Sequence, residues 1–493
     1  MAQKLNWKKL LSTFRLNGTS GAGKDIRNAF ESDYGRVIFS PAIRRMHDKT
    51  QVFPLSDDDN IHTRLTHSQE VMSIGYTFGL KLIKEIFDKK NTDITEKEFD
   101  FLKNNDECLR STLLRTVPVI LQTVCLFHDI GNTPFGHFGE DTISNYFETF
   151  FKKIDKNVFF DIGVDDDPKR AEIQALDFTE YDGNAQGLRV LTKLQILDNI
   201  YGLNLTSAVL GTYLKYPNKE EKKRNDEIAN NKHGVFFSEY EHFEKIISHC
   251  GLKIDDKIVR HPLCFLMEAA DTIAYRIMDV EDGFNKKFYK TDAIFENVLK
   301  NIPNTDKLHS DLSTLRNNPS LNERVKMVKL RILLIDYLVK TAFDIFIENY
   351  SKIMNGEYQK ELLDDDLFKV ESSLGEICKE YIYNSDEVNL MEVTGNSVIV
   401  GLLNFYIEAL IIKSNCLERK AFNMISKSFI YTSILECSTY SHKKSVDIFE
   451  FNFDDFTKLN NYYKLRIIVD FISGMTDLYA LKHYQFISGL RLK

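Results

Sequence analysis

The chain is poor in residues that break helices or cross-link a fold. It has nine prolines in 493 residues, and its seven cysteines never form a Cys-x-x-Cys pair. So few prolines are typical of a helical protein. The cysteine spacing excludes a disulfide framework and a thiolate metal site, and indicates reduced core residues in a reducing compartment.

Targeting signals and a general basic field are also missing. Residues 1–11 carry positive charge but no apolar run, so they do not form a secretory signal. The most apolar segment, 398–412, is interrupted by Asn404 and Glu408 and is shorter than the ~20 residues of a membrane span. The net charge of −8 excludes general attraction of nucleic acid. We therefore predict a soluble, cytoplasmic protein without a membrane partner.

Helical periodicity dominates the sequence from Thr66 onward. It predicts an all-α fold, with a few short β elements at residues 36–39, 51–53 and 233–238. We expect an N-terminal segment (1–35), a core region (36–290) and a C-terminal helical region (291–493). Polar insertions are expected near 88–107, 154–172 and 217–232. The predicted helices include 108–130, 137–153, 261–280, 325–349 and 465–478. Residues 185–215 are predicted to be helical with turns at Gly202-Leu-Asn and Lys215-Tyr-Pro.

Residues 18–25, Gly-Thr-Ser-Gly-Ala-Gly-Lys-Asp, nearly match the phosphate-binding loop of nucleotide hydrolases. Asp25 stands where that loop has Ser or Thr, so it offers no hydroxyl to magnesium and would repel phosphate. The preceding residues 11–17 are a poor buried strand. We therefore interpret the stretch as a turn before a helix.

A His-Asp pair, His128 and Asp129, follows the apolar residues 119–127. The apolar run predicts a buried helix, with the pair in its last turn and Gly131 as the residue that ends it. Groups that attract charge or metal are costly at the end of a core helix unless they have a partner. For the pair taken alone, a capping histidine and a solvated aspartate are the ordinary explanation.

Two other residues support a metal site. His67 lies at the start of a predicted helix, and Asp271 lies on a helix face whose neighbours are apolar or small. A buried carboxylate needs a cation, several donors or a proton. Two imidazoles and two carboxylates suit manganese or magnesium, with iron, cobalt or zinc as alternatives. The competing structural roles are a cap for His67 and an ion pair between Asp271 and Arg276.

The order His, His-Asp, Asp resembles the HD superfamily of metal-dependent phosphohydrolases. Longer motifs narrow this resemblance to bacterial deoxyguanosine triphosphate triphosphohydrolases, which are related to the SAM-and-HD-domain dNTP hydrolase of animals. The motifs are Arg64-Leu-Thr-His-Ser, His128-Asp-Ile-Gly-Asn-Thr-Pro-Phe-Gly-His-Phe-Gly-Glu140, Asp182-Gly-Asn-Ala-Gln-Gly-Leu-Arg189, Gly202-Leu-Asn-Leu-Thr, Glu268-Ala-Ala-Asp-Thr-Ile-Ala-Tyr-Arg-Ile and, near the end, Gly474-Met-Thr-Asp-Leu-Tyr-Ala.

The resemblance implies an α-helical homo-oligomer, a tetramer or hexamer, that hydrolyses dGTP. Whether it also hydrolyses other dNTPs is left open. A metal-activated water would attack the α-phosphorus and release the deoxynucleoside and inorganic triphosphate. The implied metal ligands are His67, His128, Asp129 and Asp271. His137 matches the catalytic histidine and Glu140 its supporting carboxylate; at a spacing of three residues, the two can meet on one helix face.

The resemblance also implies substrate contacts. Gln51 and Asp279 match residues that contact the deoxyribose 3′-hydroxyl, and Tyr275 would pack against the sugar and exclude a 2′-hydroxyl. Cations must converge on the charged triphosphate. The positions that match triphosphate contacts are Arg64, Asn184, Lys215 and Tyr216.

One position departs from the family pattern. Relatives often have arginine after Gly-Met-Thr-Asp, where this chain has Leu478. The resemblance implies that the contact made there is lost or is supplied by Arg466 or Lys482. Base preference is therefore left open.

Two rival functions stand beside dNTP hydrolysis. One is another HD hydrolase, such as a nucleoside monophosphatase or a cyclic nucleotide phosphodiesterase. The length of the chain and the Gly-Asn-Ala-Gln block argue against it. The other is a nucleic-acid-binding regulatory protein with a vestigial site. All four metal-ligand positions carry a suitable residue, which argues against a vestigial site. Single-stranded DNA is a candidate regulatory partner of an active enzyme.

Overall fold

The computed structural model describes residues 4–20, 26–55, 58, 60–88, 93–103, 108–163, 167, 169–195, 200–223, 227–413, 416–437 and 452–490. Across these ranges the fold is all-α, and the only sheet is an antiparallel hairpin of Lys253–Ile254 and Lys257–Ile258. The predicted fold class is confirmed. Residues 21–25 of the loop-like motif lie outside the described ranges.

Many short helices and a few long ones make up the described chain. The α-helices before residue 290 are Trp7–Leu10, Ala29–Ile38, Pro41–Arg45, Arg64–Asp88, Leu109–Leu114, Val117–Phe127, Gly136–Phe151, Lys156–Phe159, Arg170–Thr179, Gly183–Arg189, Ser207–Tyr213, Tyr240–Cys250 and Pro262–Asn285. Those after it are Thr291–Leu299, Lys307–Arg316, Glu323–Glu348, Tyr350–Met354, Val370–Ile377, Asp386–Ile407, Glu418–Met424, Lys427–Glu436, Phe453–Thr457, Asn461–Ser473 and Asp477–Ile487.

Tighter and wider turns join these helices. The 3₁₀-helices are Met46–Asp48, Glu96–Leu102, Ile228–Asn230, Phe237–Glu239 and Leu362–Asp365. The π-helical segments are Val190–Leu194, Cys378–Tyr383 and Glu408–Ile412.

The three predicted strand positions are wrong. Residues 36–38 complete the helix Ala29–Ile38, which begins at a reciprocal cap between Asn28 and Glu31. Residues 51–53 form a bend, and 233–236 are irregular before Phe237–Glu239. Short apolar runs do not distinguish strand from buried helix, and at residue 36 the upstream cap decided the outcome.

Two predicted helices are split. The expected helix 108–130 is divided into Leu109–Leu114 and Val117–Phe127, because Pro118 stands in the first turn of the second helix, where its missing N–H costs nothing. The expected helix 465–478 is interrupted at Gly474, between Asn461–Ser473 and Asp477–Ile487. The long helices Pro262–Asn285 and Glu323–Glu348 lie close to their predicted positions.

The helices that carry the His and Asp motifs pack against one another. Arg64–Asp88 contacts both Val117–Phe127 and Pro262–Asn285, and the last two contact each other. Gly79 permits one of these approaches, since a Cβ atom there would lie 2.5 Å from the Cα atom of Pro118. The packing therefore brings side chains from three separate parts of the chain to one place.

The buried apolar residues form two clusters that do not follow chain order. The first cluster contains the three helices just described, the N-terminal residues from Leu5 and much of 291–388. The second contains the helix Gly136–Phe151 together with residues 398–480 of the C-terminal part. The chain crosses from the first to the second cluster between Ile130 and Phe135.

A buried ion network joins the Asp182–Arg189 motif to the C-terminal helices. The Arg189 guanidinium is fully buried and pairs with Asp470 at 2.8 Å, and with Glu239 and Glu436 at 2.9 Å each. Arg466 donates to Gln186 at 2.9 Å and to Asp470 at 3.0 Å. Charges this deep are tolerated only when they are paired, so the network ties the two regions together.

By length and apolar composition alone, two helical stretches of the described chain could span a membrane: Leu109–Phe127 and Asp386–Ile412. Of their most apolar windows, 61% and 50% are buried inside the protein. Core helices pass the same test, so these stretches are weak support for a membrane location.

Candidate active site

Three side chains from the packed helices meet at short distances. His67 Nε2 lies 3.2 Å from His128 Nε2 and 3.1 Å from Asp271 Oδ1. The His128 Nε2 to Asp271 Oδ1 distance is 3.2 Å. Two imidazole nitrogens and one carboxylate oxygen therefore form a nearly equilateral triangle inside the protein.

The backbone orients the His128 ring toward this triangle. His128 follows the last helical residue, Phe127, and its Nδ1 lies 2.8 Å from the carbonyl oxygen of Cys125. A carbonyl can only accept, so Nδ1 donates its proton to it and Nε2 is the ring atom that faces His67 and Asp271. This is the arrangement that a metal-binding imidazole needs.

Asp129 lies beside the triangle and is held by Arg64. Arg64 Nη1 donates to Asp129 Oδ2 at 2.5 Å, and Asp129 Oδ1 lies 3.6 Å from His128 Nε2. Ligand atoms of His67, His128 and Asp129 all lie within 4.8 Å of one another. The structure thus brings the four predicted metal ligands to one centre.

The charges at the centre are strongly coupled. Burial disfavours charge on the His128 imidazole, but the carboxylates of Asp271 and Asp129 outweigh it and raise its pKa to about 9. Burial also disfavours charge on the Asp271 carboxylate, yet His128 and Lys215 hold its pKa well below the usual range. The carboxylate is therefore ionised at neutral pH and available to a cation.

This donor set fits a divalent ion. Neighbouring ligands at about 2.1 Å from one ion are separated by about 3.0–3.4 Å, and the triangle has edges of 3.1–3.2 Å. Two side chains at the centre also carry buried polar atoms without a hydrogen-bond partner among the described residues, His67 Nδ1 and Arg64 Nε. Unsatisfied polar groups of this kind are typical of a site that is completed by an ion, water or ligand.

His137 and Glu140 lie next to this centre on the helix Gly136–Phe151. His137 Nδ1 is 3.4 Å from Glu140 Oε2; the imidazole is 76% exposed, whereas the carboxylate is buried. Glu140 raises the pKa of His137, and Lys232 and Arg64 act in the opposite direction. An exposed imidazole that is oriented by a buried carboxylate can transfer protons to or from a bound molecule.

Gly131 does not end the helix in the predicted way. It is absent from the residues with positive φ, and the helix stops at Phe127. A Cβ atom at Gly131 would lie 2.1 Å from both the Gly183 carbonyl oxygen and the Gly187 nitrogen. Glycine is required there because the helix Gly183–Arg189 packs directly on the loop after the His-Asp pair.

The predicted triphosphate contacts surround the centre in part. Lys215 Nζ pairs with Asp271 Oδ2 at 3.2 Å, and Arg64 pairs with Asp129. Asn184 instead donates its side-chain amide to Asp182, its own helix cap. Both Arg64 and Lys215 thus place positive charge beside the ligand carboxylates.

Lys232 is a candidate site residue that the sequence did not single out. Its Nζ pairs with Asp182 Oδ2 at 2.7 Å and lies 5.6 Å from the centre of the Tyr216 ring. Residues 217–232 were expected to be a solvated insertion, and nothing in the mixed-sign charge run distinguishes its last lysine. Only the fold places Lys232 beside Tyr216 and near His137.

Two of the three predicted sugar contacts, Tyr275 and Asp279, lie further along the helix Pro262–Asn285. Burial raises the pKa of Asp279 to about 7, and Tyr383 OH donates to its Oδ2 at 2.5 Å. Tyr275 is half-buried beneath the Arg276 guanidinium, 4.7 Å from its ring centre. The side-chain oxygen of Gln51 is buried and accepts no hydrogen bond from the described residues.

Two alternatives from the sequence are wrong. Arg276 pairs with Glu371, not with Asp271. Arg466 cannot replace a contact at Leu478, because its guanidinium is fully buried against Asp470 and Gln186. Leu478 itself is 48% exposed at the start of the last helix.

Comparison with known proteins agrees with the geometry. No protein-family model matches the chain. It is 32% identical to a deoxyguanosinetriphosphate triphosphohydrolase-like protein of Listeria monocytogenes, over 99% of this chain and 100% of that protein. A protein of the same name from Pseudomonas aeruginosa is 32% identical over 98% of this chain and 99% of its own length.

A third relative carries the enzyme name without qualification. The deoxyguanosinetriphosphate triphosphohydrolase of Klebsiella pneumoniae is 29% identical over 98% of this chain and 97% of its own length. Likeness over entire chains, above 30% identity in two cases, covers the site and the C-terminal helices together. The chain belongs to the deoxyguanosinetriphosphate triphosphohydrolase family.

Proposed function

We propose that this protein is a metal-dependent dNTP triphosphohydrolase that prefers dGTP and releases the deoxynucleoside and inorganic triphosphate. The observation that supports it most is the triangle of His67 Nε2, His128 Nε2 and Asp271 Oδ1 in a chain of this family. The name of the Klebsiella pneumoniae relative supports dGTP as the preferred substrate.

The metal would be held by His67, His128, Asp129 and Asp271. A divalent ion at this place, manganese or magnesium in preference to iron, cobalt or zinc, would supply Lewis-acid stabilisation of phosphoryl charge. The Arg64–Asp129 and Lys215–Asp271 pairs keep the carboxylates in place.

Positive side chains would bind the triphosphate. Arg64, Lys215 and Lys232 each contact a carboxylate at or near the centre. A triphosphate carries several negative charges, and its oxygens can accept hydrogen bonds from these three cations. Held by these residues, the α-phosphorus would face the metal centre.

His137 would perform the proton transfers. Because the Glu140 carboxylate accepts from Nδ1, the other nitrogen, Nε2, is left to exchange a proton with the attacking water or the departing 5′-oxygen. The exposure of the ring supports this role, since Nε2 can be reached by a bound substrate.

The decisive test is the identity of the products. Purified protein with manganese or magnesium is expected to convert dGTP to deoxyguanosine and triphosphate, faster than it converts the other three dNTPs. Chromatography of nucleosides and phosphates resolves the outcomes. Release of monophosphate or diphosphate would contradict the proposal and favour another HD hydrolase. In water enriched in ¹⁸O, attack at phosphorus places the label in triphosphate, whereas attack at carbon places it in deoxyguanosine.

The raised pKa of Asp279 predicts a pH-dependent KM. Below pH 7 the carboxyl is mostly protonated, and above pH 7 it is mostly ionised and accepts a hydrogen bond from the sugar more strongly. KM for dGTP is therefore expected to fall up to about tenfold between pH 6 and pH 8. Asp279→Asn should retain only the dependence due to the triphosphate itself. Identical KM profiles for both proteins would exclude this role of Asp279.

Assembly and location remain predictions from the family resemblance. We propose a homo-oligomer, regulation by single-stranded DNA and a cytoplasmic location. Loss of activity on His137→Ala without loss of DNA binding would separate a regulatory DNA site from the hydrolytic centre.

A further inference from the structure

The proposed active site is divided between the two hydrophobic clusters. The metal-ligand helices belong to the first cluster. The helix of His137 is anchored in the second through Ile143, Phe147 and Phe151. Catalysis requires His137 to keep a fixed position relative to the metal ligands, so the contacts that join the clusters near residues 131–136 matter.

The carboxylate of Asp477 makes one such junction. Asp477 is the first residue of the helix Asp477–Ile487 and is buried. Its Oδ1 accepts from the Phe135 backbone N–H at 2.9 Å. Its Oδ2 accepts from the backbone N–H of Thr50 at 3.0 Å and from the Thr50 hydroxyl at 2.8 Å. One carboxylate thus joins Phe135 and Thr50, which are 85 residues apart in the chain.

Each of these segments leads directly to the site. Thr50 forms an isolated β-bridge with Thr63, and Arg64 N donates to Lys49 O at 2.8 Å, so this segment sets the start of the helix that carries His67. Phe135 immediately precedes the helix that carries His137. Asp477 therefore connects the first turn of the metal-ligand helix to the first turn of the His137 helix.

Lys49 reinforces the same junction. Its buried Nζ donates to the carbonyl oxygen of Asn132 and, at 2.9 Å, to that of Ser473. Asn132 lies in the loop between Asp129 and His137, and Ser473 ends the helix before Asp477. The C-terminal helices are thus attached to the loop at both of its ends.

The loop needs such support because its backbone is strained. Phe135 has φ of +62° and Gly136 has φ of +61°. The left-handed conformation is costly for a bulky residue such as phenylalanine and persists only where surrounding contacts impose it. The hydrogen bond to Asp477 and the packing of the Phe135 ring against Gly395 support it from outside the loop. Within the loop, the Thr133 carbonyl accepts from Gly136 N at 3.2 Å and the Thr133 hydroxyl donates to Gly136 O at 2.9 Å.

We propose that Asp477 is a positioning residue, which holds the Phe135–Gly136 turn so that His137 faces the metal centre. This inference rests on the proposed function of that centre. It assigns to the Gly474-Met-Thr-Asp477 motif a role in catalysis that is exerted through the backbone, without contact between Asp477 and substrate.

The primary test is Asp477→Asn. The amide keeps the shape but has one acceptor oxygen, so it cannot accept from both Thr50 and Phe135. We expect kcat for dGTP to fall about 10- to 100-fold, while KM and the Mn²⁺ dissociation constant change less than about threefold. The matched control is Asp386→Asn. Asp386 is also the first residue of a helix but is exposed, so this variant reports the loss of a helix-terminal charge alone.

A double variant separates positioning from a purely structural role. If Asp477 acts through His137, Asp477→Asn should slow the wild-type protein but add almost nothing to His137→Ala. Amide hydrogen exchange at Phe135 should be faster in Asp477→Asn and unchanged in Asp386→Asn. This exchange measurement requires no substrate.

Three results would overturn the inference. They are an unchanged kcat in a folded Asp477→Asn, a double variant slowed by the product of the two single effects, and undisturbed exchange at Phe135. If Asp477→Asn fails to fold, Thr50→Val replaces it. That variant removes only the hydroxyl donor to Asp477 Oδ2. An unchanged kcat together with unaltered hydrogen exchange at Phe135 in this variant would contradict the proposed role of Asp477. If the wild-type protein releases no triphosphate, the proposed function fails, and hydrogen exchange still decides whether the turn is held by Asp477.

Discussion

Replacing Asp271 by asparagine is expected to abolish Mn²⁺ binding and to lower kcat/KM for dGTP by about 10³-fold or more. The Asp271 carboxylate lies 3.1 Å from His67 Nε2 and 3.2 Å from His128 Nε2, so it contributes the negative charge at the middle of the centre. Asparagine keeps the size of the side chain but supplies a neutral, weaker ligand. Lys215 would also lose its ion-pair partner.

The control for this variant is Glu281→Gln in the same helix. Glu281 pairs with Arg331 at 2.6 Å, away from the metal ligands, so its loss should leave metal binding and kcat unchanged. Calorimetric titration with Mn²⁺ and the triphosphate assay provide the two measurements, with circular dichroism as the test of folding. Full metal stoichiometry in folded Asp271→Asn would show that the centre is not the metal site.

Replacing His137 by alanine is expected to lower kcat about 10²- to 10⁴-fold, the usual contribution of a general acid or base. Mn²⁺ affinity should be unchanged, because His137 is exposed and lies outside the buried triangle. Glu140→Gln should have a smaller effect of about 10- to 100-fold, since it acts by orienting the imidazole and leaves the ring in place. The two effects should not multiply in the double variant.

Asp141→Asn is the matched control for both variants. Asp141 follows Glu140 in the same helix and is exposed. Its replacement should therefore leave kcat unchanged. The proposed role of His137 is wrong if His137→Ala raises KM at constant kcat, because that result would assign the ring to uniform substrate binding.

Local sequence was a good guide to the helices that carry chemistry. The run 119–127 is strongly apolar and most positions of 261–280 are apolar or small, so burial and helical geometry follow from the side chains themselves. Short runs were a poor guide: residues 36–38 are the last residues of a helix that Asn28 and Glu31 cap at its start. The predicted role of Gly131 as a helix-ending residue was also wrong. Glycine is needed there because the helix Gly183–Arg189 packs against it.

The sequence by itself determined the residue types of the site and their place on helices, because motif order and apolar periodicity are local properties. Tertiary structure alone decided which groups meet: Lys232 with Asp182, Tyr383 with Asp279, and Asp477 with both Thr50 and Phe135. These partners are separated by 50 to 427 positions. No local pattern records such contacts, because they arise only when segments that are distant in the chain pack against each other.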